Sequence, residues 1–153
     1  MNSPNSPIAP VAPIAPATPV SKQPVGRTPL RVLALDDDRF QLDLLTELLK
    51  SLGVSDVTGV TRSAEALHVI AARPNSFDLL LIDLHLPGED GFQFMDGLSK
   101  LHYAGAMIIV SAQSQDVMHG ASLVARLRHF NLLDSLPKPV ERAPLAALIK
   151  GLL

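Results

Sequence analysis

The sequence predicts an α/β fold in which helices cover both faces of a parallel sheet. Strand-like and helix-like patterns alternate five times after residue 30, and this alternation is typical of parallel sheets. The run Phe77–Ile82 does not alternate between polar and apolar residues, as expected for a strand buried on both faces. Charged or hydroxyl residues follow most of the apolar runs, at the sheet edge where ligands bind. We therefore expect a doubly wound sheet of five parallel strands with five helices.

The first half of this region predicts two strand–helix pairs. Arg31–Leu35 is a short apolar strand, and Gly53 is expected to stop the helix that follows it. Val54–Val60 is expected to be the second strand, followed by a helix from an N-cap at Ser63 to Ala72. The apolar side chains that recur at helical spacing in the first helix are Phe40, Leu44, Leu45, Leu48, Leu49 and Leu52.

The second half repeats the alternation three times. A Pro87-Gly88 turn separates the strand Phe77–Ile82 from the next helix, and Pro144 suits the first turn of a closing helix. The other elements that we predict here are Phe92–His102 (helix), Ala106–Val110 (strand), Gln115–Phe130 (helix) and Leu132–Leu136 (strand).

Composition limits the classes of function. The chain has 153 residues, which is enough for one domain, and 47% of them are hydrophobic. Its net charge of −2 argues against a nucleic-acid or anionic membrane surface. The apolar runs are strand-length, so we predict no membrane span. Cysteine is absent, which excludes disulfides and fits the cytoplasmic location that we expect.

Residues 1–29 differ from the rest of the chain. They contain 8 of the 13 prolines and no acidic residue, and proline recurs at every third position from Pro4 to Pro19. This spacing matches the three residues per turn of a polyproline II helix. We predict a disordered or semi-stiff Pro-rich tail ahead of a folded domain at residues 30–153.

A small polar site is predicted where the strands end. Carboxylates that gather there repel one another, and a hard cation with oxygen ligands relieves the repulsion. An ammonium group could then neutralise a phosphoryl group held beside the cation. Taken alone, Asp36-Asp37-Asp38 would be a solvated turn or a helix N-cap run, and we expect Asp38 to be an N-cap. The residues of the predicted site are Asp36, Asp37, Asp83, Ser111 and Lys138.

The motifs together resemble the receiver domain of two-component response regulators over residues 30–153. The motifs that carry the resemblance are Asp36-Asp37, D-x-x-x-P-G-x-D-G from Asp83 to Gly91, Ser111-Ala112 and Lys138-Pro139. The resemblance implies a flavodoxin-like sheet with strand order 2-1-3-4-5. It also implies a signalling module that is not an enzyme and assists only its own phosphorylation and dephosphorylation.

The resemblance implies a role for each site residue. Asp83 would accept a phosphoryl group from a sensor histidine kinase or a phosphotransfer protein. Lys138 would contact that group, and Ser111 would be the switch hydroxyl. A downstream protein partner or an output domain would read the switch.

The resemblance also implies a metal site, with Mg²⁺ as the cation and Mn²⁺ as a possible substitute. Asp37 and Asp83 would bind the cation directly, as would the backbone carbonyl of His85. Asp36 would bind it through water.

Two rival classes and three departures accompany this interpretation. Asp36-x-Asp38 resembles the nucleophile motif of haloacid-dehalogenase-type phosphatases, although Asp83 would then have no role. A pure interaction module without phosphorylation is the other rival.

Ser135 stands where the family usually has Tyr or Phe, and Pro137 is expected to end the pairing of the last strand. The long fourth helix resembles receivers that precede EAL-type cyclic-di-GMP phosphodiesterase domains, so the chain could be the N-terminal part of such a protein.

Overall fold

The predicted sheet is confirmed in strand order and direction. The computed structural model describes residues 29–85 and 91–153, and its five strands pair in parallel in the order 2-1-3-4-5. The predictions for the tail before residue 29 and for the Pro87-Gly88 turn fall outside the described residues. The elements are β1 (Arg31–Leu35), α1 (Arg39–Ser51), β2 (Asp56–Val60), α2 (Ser63–Ala72), β3 (Leu79–Asp83), α3 (Gly91–Lys100), β4 (Ala106–Ser111), α4 (Gln115–Leu127), β5 (Asn131–Pro137) and α5 (Arg142–Lys150).

Two apolar layers hold the helices against the sheet. Side chains of α1 and α5 pack on one face, and those of α2, α3 and α4 pack on the other. The two central strands, β3 and β4, are buried along their whole length. Burying one aliphatic side chain stabilises a fold by about 1.5–3 kcal/mol. Across the two described ranges, no helix is both long and apolar enough to cross a bilayer.

Helix α1 begins and ends as predicted, but it buries a different face. Asp38 is its N-cap and accepts hydrogen bonds from two N–H groups of the first turn, and Gly53 follows the helix with φ +94°. Leu42, Leu45 and Leu49 are the buried residues. Phe40 and Leu44, which we placed on the apolar stripe, are 66% and 51% exposed. The spacing of apolar residues in α1 is compatible with two overlapping helix faces, and Phe40 and Leu44 lie just outside the face that is buried.

The boundaries of three helices differ from the prediction. Helix α3 runs from Gly91 to Lys100, whereas we predicted Phe92–His102. Ser63 is the first residue of α2, and Arg62 is the N-cap without a side-chain cap hydrogen bond. Helix α4 ends at Leu127, three residues before the predicted Phe130. The chain turns there, with His129 at φ 65°, because Phe130 enters the core.

Strand β5 carries one more residue than β4 along their shared pairing. Its register with β4 shifts between Met107 and Ile108, which pair with Leu132 and Asp134, so that Leu133 is an extra residue. A bulge of this kind lets one strand carry an extra residue without losing its later pairs.

The prediction that Pro137 ends strand pairing is wrong. Lys138 N donates to the carbonyl of Ser111 at 3.0 Å, one residue beyond the proline. Only alternate residues of a parallel strand turn their N–H toward a given neighbour. The missing N–H of Pro137 therefore falls on the open side of β5, which is an edge strand.

Candidate functional site

Three carboxylates meet at the carboxyl edge of the sheet, as the sequence predicts. Asp36 follows β1 and Asp83 ends β3, and both are buried. Asp37 is exposed at the same edge. One carboxylate oxygen from each of the three lies within 4.8 Å of the others. Three like charges at this separation are stable only when a cation or a proton neutralises part of the charge.

Lys138 provides a positive charge inside this cluster. Its Nζ donates to Asp36 Oδ2 at 2.6 Å and to Asp83 Oδ2 at 2.7 Å, and its side chain is largely buried. Burial lowers the pKa of the ammonium group, but the bonds to the two carboxylates outweigh it, so that the pKa lies above its ordinary value. Lys138 is therefore a fixed cation between the strands β1 and β3.

The pKa of Asp83 lies above its ordinary value. Burial raises its pKa, and this effect exceeds the opposing effects of the hydrogen bonds from Lys138 and from the His85 N–H. The His85 N–H donates to Oδ1 at 2.8 Å. A carboxylate with a raised pKa is more basic and less well solvated than a surface carboxylate, which suits a nucleophile.

Asp36 and Asp37 have different surroundings. Asp36 Oδ1 accepts the N–H of Asp38 at 2.9 Å, and its Oδ2 accepts from Lys138. Asp37 makes no hydrogen bond to any residue for which the structure gives a position. Within residues 29–85 and 91–153, neither oxygen of Asp37 accepts a hydrogen bond, whereas both oxygens of Asp36 already have donors.

Ser111 occupies the end of β4, but it does not line the open cleft. It is fully buried, and its Oγ accepts the N–H of Gln113 at 3.0 Å. Ala112, the next residue, lines the cleft instead. A buried hydroxyl that holds the start of the following loop can couple a change at the site to that loop.

A hydrogen bond between Gln113 and His85 joins the ends of β4 and β3. Gln113 Nε2 lies 2.8 Å from His85 Nδ1, although the residues are 28 positions apart. The sequence marks both positions, because each lies two residues after a site residue. It contains no signal that the two side chains bond to each other, since that contact depends on how far apart the two strand ends lie.

An open cleft and a smaller groove surround the acidic cluster. The cleft has a volume of about 450 Å³ and includes Gln41, a residue that we had not predicted for the site. Gln41 belongs to the first turn of α1, which follows the Asp38 cap, so the cap position was the signal that could have identified it. A groove of about 80 Å³ continues from Lys138 along Leu44 and Leu48 to Val140.

The donor set fits a hard divalent cation. Carboxylate oxygens from two strand ends, beside an open cleft, leave room for the waters that Mg²⁺ retains. When bound here, such a cation would shield an attacking carboxylate from the charge of phosphoryl oxygens. The His85 backbone contacts Asp83 through its N–H, and its carbonyl remains a proposed ligand.

The fold and this cluster together define a receiver-type signalling module. The family model described as the response regulator receiver domain matches residues 32–150. This chain belongs to the response regulator receiver domain family. Family membership confirms the prediction of a signalling module and excludes the phosphatase rival, in which Asp83 would have had no role.

Known proteins and structures agree with this assignment. The chain is 34% identical over 93 residues to the two-component response regulator ARR14 of Arabidopsis thaliana, an alignment that covers 60% of this chain and 24% of ARR14. A response regulator from Colwellia psychrerythraea superposes with a TM-score of 0.70 at 22% identity, covering 82% of this chain and 97% of that one. The chain spans only 24%, 18% and 17% of the lengths of ARR14, ARR11 and ARR12.

A second solved structure is a complex that contains ligands. It is a CheX-CheY-BeF3-Mg+2 complex from Borrelia burgdorferi, with a TM-score of 0.68 and 19% identity, and the match covers 81% of this chain and 89% of that one. At this identity the likeness concerns the fold.

We predict that the bond between Gln113 and His85 would slow the loss of a phosphoryl group carried by Asp83. The pair crosses the edge of the sheet beside Asp83, where it would restrict the approach of water. The double variant Gln113→Ala/His85→Ala should lose the phosphoryl group about fivefold faster, equivalent to about 1 kcal/mol of barrier. The measurement is the decay of phosphorylated protein after the donor has been removed.

The matched control is Gln115→Ala/His119→Ala, which removes the same two residue types from exposed positions of α4. Its decay rate should equal that of the parent protein. An unchanged or slower decay in the Gln113/His85 variant would contradict the prediction.

Proposed function

We propose that Asp83 of this chain accepts a phosphoryl group from a phosphohistidine of another protein. The reaction requires Mg²⁺, and the chain changes conformation in response. The donor would be a sensor histidine kinase or a phosphotransfer protein. Mn²⁺ is expected to substitute for Mg²⁺, since it also accepts oxygen ligands. The proposal includes a cytoplasmic location, which fits the absence of cysteine.

One observation carries the proposal: Asp83 is a buried carboxylate with a raised pKa, bonded to Lys138, at the mouth of an open cleft. A carboxylate that served only structure would cost stability when it is buried beside two others. The arrangement instead supplies a nucleophile, Asp83, together with the ammonium group of Lys138, which can neutralise the negative charge of the transferred group. This supports the roles that we assign to Asp83 and Lys138.

The chemical step balances within this site. An Asp83 oxygen attacks phosphorus, the phosphorus–nitrogen bond of the donor breaks, and the donor imidazole leaves and takes up a proton from solvent. The product is an acyl phosphate on Asp83. Lys138 Nζ, already 2.7 Å from Asp83 Oδ2, is placed to neutralise the oxygens on which charge builds up.

The surroundings of the cleft favour a protein as the phosphodonor. Phe40 and Leu44 expose large apolar side chains on the first turns of α1. The groove that continues from Lys138 also runs beside Leu44. A protein that covers these side chains would bury apolar area while it delivers its phosphohistidine to Asp83.

Acetyl phosphate tests the proposal without a cognate kinase. With Mg²⁺ present, the chain should gain the mass of one phosphoryl group, detected by mass spectrometry of the intact protein. A folded chain that gains none under conditions that label other receivers would contradict the proposal and would favour a pure interaction module.

We propose that the conformational change passes through α4. Ser111 holds the loop that leads to this helix through its bond to Gln113 N–H. Ser122 of α4 contacts Ser135 of β5 with 3.5 Å between their Oγ atoms, and Arg128 binds Asp96 of α3 at 2.9 Å. Because Ser135 is small, no aromatic ring can move at that position. The loop after Ser111 and helix α4 are then the segment that we expect to change conformation on phosphorylation.

Hydrogen exchange with and without beryllofluoride is the measurement for this switch. Changes in protection should concentrate in residues 111–130, because that segment connects Ser111 to the contacts with β5 and α3. The Asp83→Asn variant, which should not respond to beryllofluoride, is the control. A silent segment 111–130 alongside changes in β5 and α5 would contradict the proposed route.

A second candidate is the same receiver role within a longer regulator. The curated relatives are longer than this chain, since the match spans 24% or less of the lengths of ARR14, ARR11 and ARR12. The resemblance to receivers of EAL-type cyclic-di-GMP phosphodiesterases depended on a long fourth helix. Helix α4 ends at Leu127, short of the predicted length, so this resemblance has no support and we propose the receiver role alone.

A further inference from the structure

Apolar residues of the Pro-rich tail repeat together with its prolines. Ile8, Val11 and Ile14 each follow a proline directly, so they recur at every third position, and an alanine follows each of them. In a polyproline II helix, residues at this spacing form one edge and lie about 9 Å apart. We call Ile8, Val11 and Ile14 the aliphatic edge. An edge of this kind gains stability only when an apolar surface covers it.

Helix α1 offers such a surface beside the acidic site. Phe40 and Leu44 are 66% and 51% exposed, and Leu48 is partly buried. Their four-residue spacing places them in a row about 12 Å long on one side of the helix, which is long enough for two residues of the aliphatic edge. The groove of about 80 Å³ runs beside this row. We call Leu44, Leu48 and Val140, which line it, the α1 groove.

The tail joins the domain on the face of the sheet that carries this groove. Leu30, the first residue after the tail, is buried in the same apolar layer as side chains of α1 and α5. Strand β1 rises about 16 Å from there to the acidic site. The 15 residues between Ile14 and Leu30 span about 20 Å as a flexible chain. A linker whose reach matches the distance gives an effective concentration in the millimolar range, so that a weak apolar contact is populated.

The charges of the tail and of the domain are opposite. Lys22 and Arg27 are the charged side chains of the tail, so the rest of the chain carries −4 of the total −2. Asp43 and Glu47 are exposed on α1, the helix that forms one wall of the groove. Electrostatic attraction therefore favours the tail, whereas two whole copies of the chain repel each other.

We propose that the aliphatic edge of the tail packs in the α1 groove of the same molecule and covers the apolar approach to the acidic site. Tethering favours this occupant over the tail of a second copy. One consequence rests on the proposed function: a protein phosphodonor that uses Phe40 and Leu44 must first displace the tail. Acetyl phosphate is small enough to enter the open cleft of about 450 Å³ without displacing it.

Paramagnetic relaxation locates the tail. The chain has no cysteine, so Ser6→Cys in the whole chain carries a single nitroxide beside the aliphatic edge. Amide signals around Leu44 and Leu48 should lose at least half of their intensity, while those around Leu123 of α4 should not. Broadening centred on α4, or no broadening within the domain, would overturn the proposal.

A mixed sample distinguishes the tail of the same molecule from that of a second copy. Here the nitroxide is on one chain and the observed isotope label is on another, so only contacts between molecules broaden signals. The α1 signals should keep their intensity. Broadening as strong as within one molecule would assign the groove to the tail of a second copy and overturn the proposal.

Leu44→Glu should release the tail, because a carboxylate in the groove removes the apolar contact. Leu123→Glu, at a leucine of similar exposure on α4, is the matched control and should leave the broadening of α1 unchanged. Broadening that persists in Leu44→Glu, or that disappears equally in both variants, would contradict docking in the α1 groove.

Substitutions in the tail test the aliphatic edge and the cover at once. Gln41 lines both the cleft and the groove, so Gln41→Cys reports how freely a bulky reagent reaches their junction. Replacing the three residues of the aliphatic edge with serine should raise the rate of modification by a large polyethylene glycol maleimide at least threefold. This increase corresponds to a groove that is covered about two thirds of the time.

The matched control replaces the next edge of the same helix, Ala9, Ala12 and Ala15, with serine. It should leave the modification rate of Gln41→Cys unchanged, and Val117→Cys on α4 should react at one rate in every tail. Equal rates with the parental and the serine-substituted aliphatic edge would overturn the proposal, as would an equal increase from the alanine edge.

Labelling by acetyl phosphate keeps this proposal separate from the proposed function. The variant with serine on the aliphatic edge should label at the parental rate, and slower labelling of that variant alone would overturn the cover, since the tail would then assist the site. If neither the parent nor any variant were labelled, the proposed function would fail. The docking, which is measured without phosphorylation, would stand.

Discussion

Replacing Asp83 with Asn should abolish labelling by acetyl phosphate. Asn has the same shape but lacks the charged oxygen that attacks phosphorus, so the gain of one phosphoryl mass should disappear completely. The variant should remain folded, because Lys138 retains its bond to Asp36 and because burial already disfavours the ionised form of Asp83. Mass spectrometry of the intact protein and a thermal melt provide the two measurements.

Asp38→Asn is the matched control for this substitution. Asp38 is in the same acidic run, but it serves as the N-cap of α1, and Asn caps helices as well as Asp does. The control should therefore label at close to the parental rate with unchanged stability. Undiminished labelling of Asp83→Asn would move the phosphoacceptor to Asp36 or Asp37 and contradict our assignment.

Much of the site could be predicted because its residues stand at strand ends. Parallel strands bring their carboxyl ends to one edge, so Asp36, Asp83 and Ser111 had to lie near one another once the strands were identified. The identity of Asp83 also had a local signal. A carboxylate at the end of an uninterrupted apolar strand would be an unpaired buried charge unless the site made use of it.

The contacts between these ends could not be read from the sequence. Lys138 binds Asp36 and Asp83 across 102 and 55 positions of the chain, and such pairings depend on side-chain reach. The register shift that adds Leu133 to β5 was also hidden, because hydrophobic periodicity does not show which residue a partner strand omits. The sequence also did not show where α4 ends, because that boundary depends on the entry of Phe130 into the core.

Removal of the divalent cation should abolish labelling, and Asp37 should contribute more to cation affinity than Asp36. Asp37 is exposed at the edge of the cluster, while both oxygens of Asp36 already accept hydrogen bonds from Lys138 and from Asp38 N–H. Asp37→Ala should therefore weaken binding at least tenfold, or about 1.4 kcal/mol. Its stability without metal should be unchanged or higher, because one repelling charge has been removed.

Asp36→Ala should lower stability more, and cation affinity less, than Asp37→Ala does. It leaves the Asp38 N–H and one bond of Lys138 without an acceptor, so the free energy of unfolding should fall by about 2 kcal/mol, while cation affinity falls less than in Asp37→Ala. Mn²⁺ titration followed by electron paramagnetic resonance gives the affinities, and chelator followed by added Mg²⁺ shows that the loss of labelling is reversible. Equal losses of affinity in the two variants would mean that Asp36, too, binds the cation directly, and that its bond to Lys138 is exchanged for the metal when the site is filled.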